Sequence, residues 1–168
     1  MFELDHTGKL TVLHNFMGGK DGAYPDARLI RDASGNLYGT TIEGGRGCKP
    51  YGCGTVFKVD ATGKETVLHA FTGGAHGVVA SSLVRDGKGN LYGAAGGGTY
   101  GQGMVFKLDT TGKQTVLYSF TGGADGGLPV GPLVLDKAGN LYGATIYGGA
   151  HGCGVSANGC GTVFKLVP

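Results

Sequence analysis

No run of Lys or Arg occurs in the 168 residues, and the formal charge is only +2. Gripping a phosphate backbone needs a concentrated basic patch, so nucleic acid is not an expected partner. Long apolar runs are missing too, whereas a spanning helix needs about 20 apolar residues, so no membrane is expected. Residues 1–5 read as a strand, so a signal peptide is not part of this numbering. Catalytic signatures are also lacking. There is no Gly-x-Ser-x-Gly elbow and no phosphate-binding glycine loop of the Gly-x-x-x-x-Gly-Lys-Ser/Thr type. Serine is scarce (Ser34, Ser81, Ser82, Ser119, Ser156), and spacing assembles no Ser-His-Asp triad. No Asp-x-Asp-x-Asp run offers a loop for calcium. Neither cofactor nor metal is expected.

Glycine is abundant, at 37 of 168 residues. Without a period that share would signal disorder. Here the glycines return at fixed offsets. Asn36-Leu37-Tyr38-Gly39 recurs as Asn90-Leu91-Tyr92-Gly93 and as Asn140-Leu141-Tyr142-Gly143. Phe57-Lys58-Val59-Asp60 recurs as Phe106-Lys107-Leu108-Asp109 and Phe164-Lys165-Leu166, with Phe2-Glu3-Leu4-Asp5 at the start. The intervals between these Phe residues are 55, 49 and 58. A period near 50 marks a repeat architecture.

Within one repeat, short apolar runs alternate with tight turns, and nothing has helical period. Leu83–Arg85, Leu91–Ala94, Met104–Leu108 and Thr115–Phe120 read as four strands. Four antiparallel strands per repeat define a β-propeller blade, lettered a to d from the axis outward. The expected fold is therefore all-β. It is one repeat domain over 1–168, with repeats near 2–56, 57–105 and 106–163 and a closing strand at 161–167. The a strands are expected at Leu29–Arg31, Leu83–Arg85 and Leu133–Leu135. The d strands are expected at Thr11–Phe16, Thr66–Phe71 and Thr115–Phe120. The strand order becomes c-d, a-b-c-d, a-b-c-d, a-b-c. Propellers run from about four blades upward, so three cannot close a ring. A homodimeric six-bladed ring is the favoured expectation; a piece of a longer propeller and an open filament are the alternatives.

Gly-Thr-Val-Phe-Lys, the Thr-Gly-Lys turn, Thr-Val-Leu-His, Phe-Thr-Gly-Gly and Gly-Asn-Leu-Tyr-Gly together resemble the GloVer tandem repeat, from Phe2 to Leu166. That family comprises bacterial proteins built from arrays of such units, often exported and without an assigned activity. The Gly-Asn-Leu-Tyr piece also resembles blades of NHL and related propellers. The resemblance implies a propeller-like fold and supplies no catalytic residues.

The a–b and c–d turns are short and near-identical, and both sets fall on one face. The b–c and d–a loops fall on the other and differ between repeats. Function concentrates on long loops over a rigid scaffold, so this loop face is the candidate binding face. It offers Asp21, Tyr24, His76 and Asp125 from d–a loops, and Glu43, Tyr51, Tyr100, Tyr147 and His151 from b–c loops. Tyrosine rings with carboxylates and amides suit a carbohydrate or small polar ligand. The bland alternative is that Asp21 and Asp125 only form turns. Tyr38, Tyr92 and Tyr142 read as packing residues, and Lys58, Lys107 and Lys165 as a solvated face. Cys48/Cys53 and Cys153/Cys160 fall in equivalent loops, at spacings that allow disulfides. Free thiols, or a metal held by Cys153, Cys160 and His151, are the alternatives. Disulfides would indicate an extracellular or periplasmic location.

The leading functional expectation is a non-enzymatic binding or scaffold module. The alternatives are a polysaccharide hydrolase or lyase using Asp21, Glu43 and Asp125, and a purely structural self-assembling repeat.

Overall fold

A computed structural model describes residues 1–149 and 159–168. Every named strand pairs antiparallel with its neighbours. β1 (Phe2–Leu4) and β2 (Leu10–Val12) form a two-stranded ribbon. Blade 1 follows. There β3 (Ala23–Pro25) and β4 (Ile30–Arg31) share the innermost position, before β5 (Leu37–Glu43), β6 (Thr55–Val59) and β7 (Glu65–Ala70). Blade 2 is β8 (Val78–Arg85), β9 (Leu91–Gly96), β10 (Met104–Leu108) and β11 (Gln114–Ser119). Blade 3 is β12 (Gly127–Leu135), β13 (Leu141–Tyr147) and β14 (Val163–Leu166). The observed order is c-d, a-b-c-d, a-b-c-d, a-b-c, as the repeat implies. Among the described residues there is no α-helix, only a 3-10 turn at Gly74–His76.

The inner strands differ from expectation. β8 and β12 begin at Val78 and Gly127, well before Leu83 and Leu133. The first half of β12 is rich in Gly and Pro and that of β8 ends on Ser81-Ser82, which read as loop, yet both pair with β13 and β9 through bulges. β2 ends at Val12, short of the expected Phe16.

Each a–b turn is closed by one aspartate. Asp86 Oδ1 accepts from the backbone N–H groups of Lys88 and Asn90, both at 2.9 Å. Its Oδ2 accepts from Asn90 Nδ2 at 2.7 Å and from the Tyr92 hydroxyl at 3.1 Å. Asp32 with Asn36 and Tyr38, and Asp136 with Asn140 and Tyr142, repeat the latch. Asn and Tyr of the recurring phrase are thus spent on a turn. Its Gly has a separate reason. A Cβ on Gly93 would lie 2.7 Å from Phe106 Cζ, so the c-strand ring can lie over strand b only where b has no side chain. Gly39 under Phe57 and Gly143 under Phe164 do the same.

The blades have no private cores; they bury their apolar faces on one another, as stacked repeats do. Phe71, Leu83, Leu91, Met104, Phe106 and Leu108 fill the space between blades 1 and 2. Tyr92, Val105, Phe120, Leu133 and Leu141 fill that between blades 2 and 3. A Phe from each d end meets the c-strand Phe of the next blade edge-on: Phe16 with Phe57 at 4.9 Å, Phe71 with Phe106 at 5.5 Å, and Phe120 with Phe164 at 5.1 Å. Lys107 and Lys165, expected only to face solvent, reach over the rings of Tyr92 and Tyr142 at 5.8 and 5.7 Å.

Cys48 and Cys53 form a disulfide with Cα atoms 5.1 Å apart. Cys53 is buried in the core between blades 1 and 2, and a Cβ on Gly73 would meet Cys48 Sγ at 3.1 Å. The bridge therefore presses the b–c loop against the following d–a loop. Cys160 is also disulfide-bonded, which excludes it as a free thiol or metal ligand. Cys153 and His151 lie outside the described residues. Closing so short a loop limits the unfolded chain modestly, by about 2 kcal/mol. Cys48→Ala/Cys53→Ala is expected to lower the urea midpoint by the corresponding amount; an unchanged midpoint would show that the bridge adds nothing to blade packing.

Candidate functional site

The loop-face candidates do not converge on one point. Asp125 accepts from the Thr121 backbone N–H and hydroxyl and, at 3.0 Å, from the Tyr118 hydroxyl. Burial is the largest single influence and raises it, but the hydrogen bonds from Thr121 and Tyr118 together hold the carboxyl below its ordinary range. Asp21 accepts from the Met17 N–H at 3.1 Å and lies 3.6 Å from His14 Nε2. Both aspartates thus engage their own d–a turns. His76, in the equivalent place, is exposed. Tyr24 and Glu43 come together, lining a hollow beside Phe16 and Met17. Tyr51 lines a different hollow with Arg46 and Lys49. Tyr100 and Tyr147 are exposed on blades 2 and 3. Among the described residues no three His, Cys, Asp or Glu side chains could hold a metal ion.

One cleft draws on all three repeats. It has a volume of about 500 Å³ and lies where the inner strands approach one another, toward the loop face. Asp26, Ala27 and Arg28 line it from between β3 and β4, Val78 and Ala80 to Ser82 from β8, and Leu128 to Gly131 from β12. Thr40 and Ile42 of β5 complete its floor.

The backbone explains why these side chains point there. In each blade strand a advances two residues more than strand b over the same stretch. From Pro25↔Thr41 to Ile30↔Tyr38 the counts are five and three. From Val78↔Gly96 to Leu83↔Gly93 they are again five and three. From Val130↔Ala144 to Val134↔Tyr142 they are four and two. Surplus residues leave the ladder, and bulges of this kind re-aim side chains. Tyr24 and Leu128, at equivalent positions before a proline, have φ of 55° and 52°. Positive φ at bulky residues is costly and concentrates at functional sites.

The cleft's polar groups are partly free. Ser81 donates to the Ala94 carbonyl at 3.1 Å and Thr40 to the Ala80 carbonyl at 3.0 Å. Among the described residues, the side chains of Asp26, Arg28 and Ser82 make no hydrogen bond or ion pair. An apolar floor with a few unengaged polar groups at its rim is the usual composition of a small-molecule site. Sequence reasoning missed this set because it began strand a at the conserved-looking Leu. The signal was present: Pro25-Asp26-Ala27-Arg28, Ala80-Ser81-Ser82 and Pro129-Val130-Gly131-Pro132 differ as much as the loops do.

Four-stranded antiparallel blades packed face to face around an axial cleft define the β-propeller class. The sequence pattern of the Gloeobacter/Verrucomicrobia repeat matches residues 1–157, and the chain belongs to that family. No curated protein matches it by sequence. Among solved structures, a candidate gluconolactonase is similar, with a TM-score of 0.55 and 15% identity over 98% of this chain and 55% of its own. A gluconolactonase of Xanthomonas campestris is similar at 0.56 and 18%, over 89% of this chain and 46% of its own. At that identity the likeness concerns the fold. The chain spans about half the length of either matched structure.

Proposed function

We propose that the protein is a non-enzymatic binding module whose axial cleft takes a small polar ligand of carbohydrate type. The observation that carries this reading is the convergence of all three repeats on the cleft, each through a bulged inner strand. Arg28, Asp26 and Ser82 are the polar groups free to meet hydroxyls or a carboxylate; Ile42, Leu128 and Val130 offer apolar surface to a sugar ring. The names of both matched structures point to a sugar-derived small molecule, which favours this ligand class. Tyr24 and Glu43 line a separate hollow and take no part in this cleft. Disulfides favour an extracellular or periplasmic site of action.

A glycan and sugar-acid array followed by calorimetry tests the proposal. Saturable binding is expected, weakened at least tenfold by Arg28→Ala, the loss of one charge-assisted hydrogen bond. Binding indifferent to both Arg28→Ala and Ser82→Ala would move the site elsewhere. Turnover of a polysaccharide or sugar lactone abolished by Asp26→Asn would overturn the non-enzymatic reading.

A further inference from the structure

The b–c loop of blade 1 holds more than its closure requires. All three b–c loops share one backbone plan. Gly44 bridges Gly52 in blade 1, Gly97 bridges Gln102 in blade 2, and Gly148 bridges Gly159 in blade 3. The N–H groups of Gly45, Gly98 and Gly149 each donate to the preceding d–a loop, at the carbonyls of Gly19, Gly74 and Gly123. Between Gly98 and Gln102 blade 2 needs only Thr99, Tyr100 and Gly101, none of them charged. Between Gly45 and Gly52 blade 1 places six residues, 46–51, and two are the cations Arg46 and Lys49. The blade 3 loop, 147–161, has neither Lys nor Arg.

Folding gives these added side chains no duty. Arg46, Lys49 and Tyr51 are exposed, Tyr51 at 68%. Among the described residues, none of the three side chains makes a hydrogen bond, an ion pair or a ring contact. The backbone that carries them is nevertheless fixed. The Cys48–Cys53 disulfide ties the loop to the core between blades 1 and 2. The Gly52 N–H donates to the Cys48 carbonyl at 3.0 Å, and the Gly44 N–H to the Tyr51 carbonyl at 2.8 Å. Arg46, Lys49 and Tyr51 line one hollow of about 360 Å³, together with Pro50 and glycines that include Gly19, Gly44 and Gly45. That volume falls in the range of small-ligand sites, about 300–1,000 Å³. No acidic side chain lines it; Glu43 lines the other hollow, with Tyr24.

We propose that this hollow is a second binding site, and that it takes a uronic-acid residue of an anionic polysaccharide. Two unpaired cations in one hollow repel each other and so add nothing to folding, but together they attract an anion. The Arg46 guanidinium is a planar fork that matches a carboxylate through two hydrogen bonds, and Lys49 adds a point charge. The Tyr51 ring offers a flat face on which the apolar side of a sugar can stack. Glycines in the wall let the ligand approach the backbone closely. A bare inorganic anion would use the two charges and leave the ring idle. A neutral sugar would use the ring and leave the charges unpaired. A sugar ring that carries its own carboxylate uses all three. The disulfide holds the loop in one conformation, which lowers the entropy lost on binding. This hollow shares no lining residue with the axial cleft, and the inference does not rest on the ligand reading of that cleft.

Calorimetry with tetramers of galacturonate, glucuronate and mannuronate, each also as its methyl ester, tests the proposal. Saturable binding of at least one acid form is expected, with its ester about tenfold weaker or more, because the ester keeps the ring and loses the charge. Arg46→Gln/Lys49→Gln should weaken the acid form by at least about tenfold, and Tyr51→Ala by about fivefold or more. All three side chains are exposed, so the urea midpoint of each variant should stay that of the wild type. Failure of every tetramer to bind would overturn the proposal. So would equal binding of inorganic phosphate or of a tetra-aspartate peptide, or indifference to Tyr51→Ala, since the site would then read charge alone. Uronate binding lost in Arg28→Ala but kept in Arg46→Gln/Lys49→Gln would place the ligand in the axial cleft instead and would equally overturn it.

Discussion

Phe106→Ala is expected to cost about 3–5 kcal/mol, a large share of the roughly 5–15 kcal/mol that holds a domain folded. The ring is fully buried, lies over Gly93 and meets Phe71 across the interface of blades 1 and 2. Its removal leaves a cavity where two blades meet, and neither sheet can close it without breaking its own ladder. Urea denaturation followed by circular dichroism should show a lower midpoint at unchanged slope. A second variant tests the cause. Gly93→Ala alone places a methyl group 2.7 Å from Phe106 Cζ and should cost about 1–3 kcal/mol by overpacking. In the Phe106→Ala background the same methyl enters the vacated space, so its cost should vanish or reverse. Strict additivity would show that the ring-over-glycine contact is not what holds this position. Phe2→Ala, the same motif residue on the exposed ribbon, should change stability by less than about 0.5 kcal/mol.

Acid should unfold the protein through its turn aspartates. The Asn36 side chain, with Tyr38, outweighs burial and holds Asp32 down to about 2. Burial opposes the shift at Asp86, yet Asn90 and Tyr92 keep it below its ordinary value; Asn140 does so at Asp136. The c–d turns add Asp5, Asp60 and Asp109, lowered by Thr7, Thr62 and Thr111. Each of these groups binds its proton more weakly in the folded chain than in the unfolded one. Their stabilisation is complete above the unfolded value of about 3.9 and is lost as pH falls through the lowered values toward about 2. Half-buried His69, whose imidazole burial pushes below its ordinary value, adds an earlier loss as pH falls through its unfolded value of about 6.5. Glu65 works in the opposite direction, because burial and Asp21 raise it. The melting temperature should therefore decline gently below about pH 6.5 and steeply below pH 4. Asp86→Ala should flatten part of the steep limb. At neutral pH it should cost about 1–3 kcal/mol, because the Tyr92 hydroxyl and Asn90 amide lose their acceptor. A steep limb unaltered by Asp86→Ala would mean that other carboxylates govern the acid transition.

Blade organisation was legible from the chain because each unit spells out its own local rules. Asp-x-x-Gly-Asn closes a turn wherever it stands, and Phe opposite Gly fixes a cross-strand pair in each blade. The face that carries the short structural turns was legible for the same reason, since near-identical turns declare themselves structural. The axial cleft was not. Asp26, Arg28, Ser81 and Ser82 sit beside Pro25 or in a Ser-Ser pair, which reads as loop. They enter the site because two surplus residues per inner strand turn them out of the ladder. A bulge is settled by what both strands pack against, which local composition does not encode.

By itself the sequence determined the repeat, four strands to the blade, their order, and the placing of Cys48 and Cys53 in one loop. These depend on periodicity and on bonds between residues a few positions apart. Tertiary structure alone decided which side chains meet in the cleft, and that blade 3 exposes Val134 and Val163 where blade 2 half-buries Val84 and buries Val105. The sequences at those two places are almost the same. Their burial differs because the apolar face of a blade is covered by its neighbour, and a neighbour is a property of the assembly rather than of the segment.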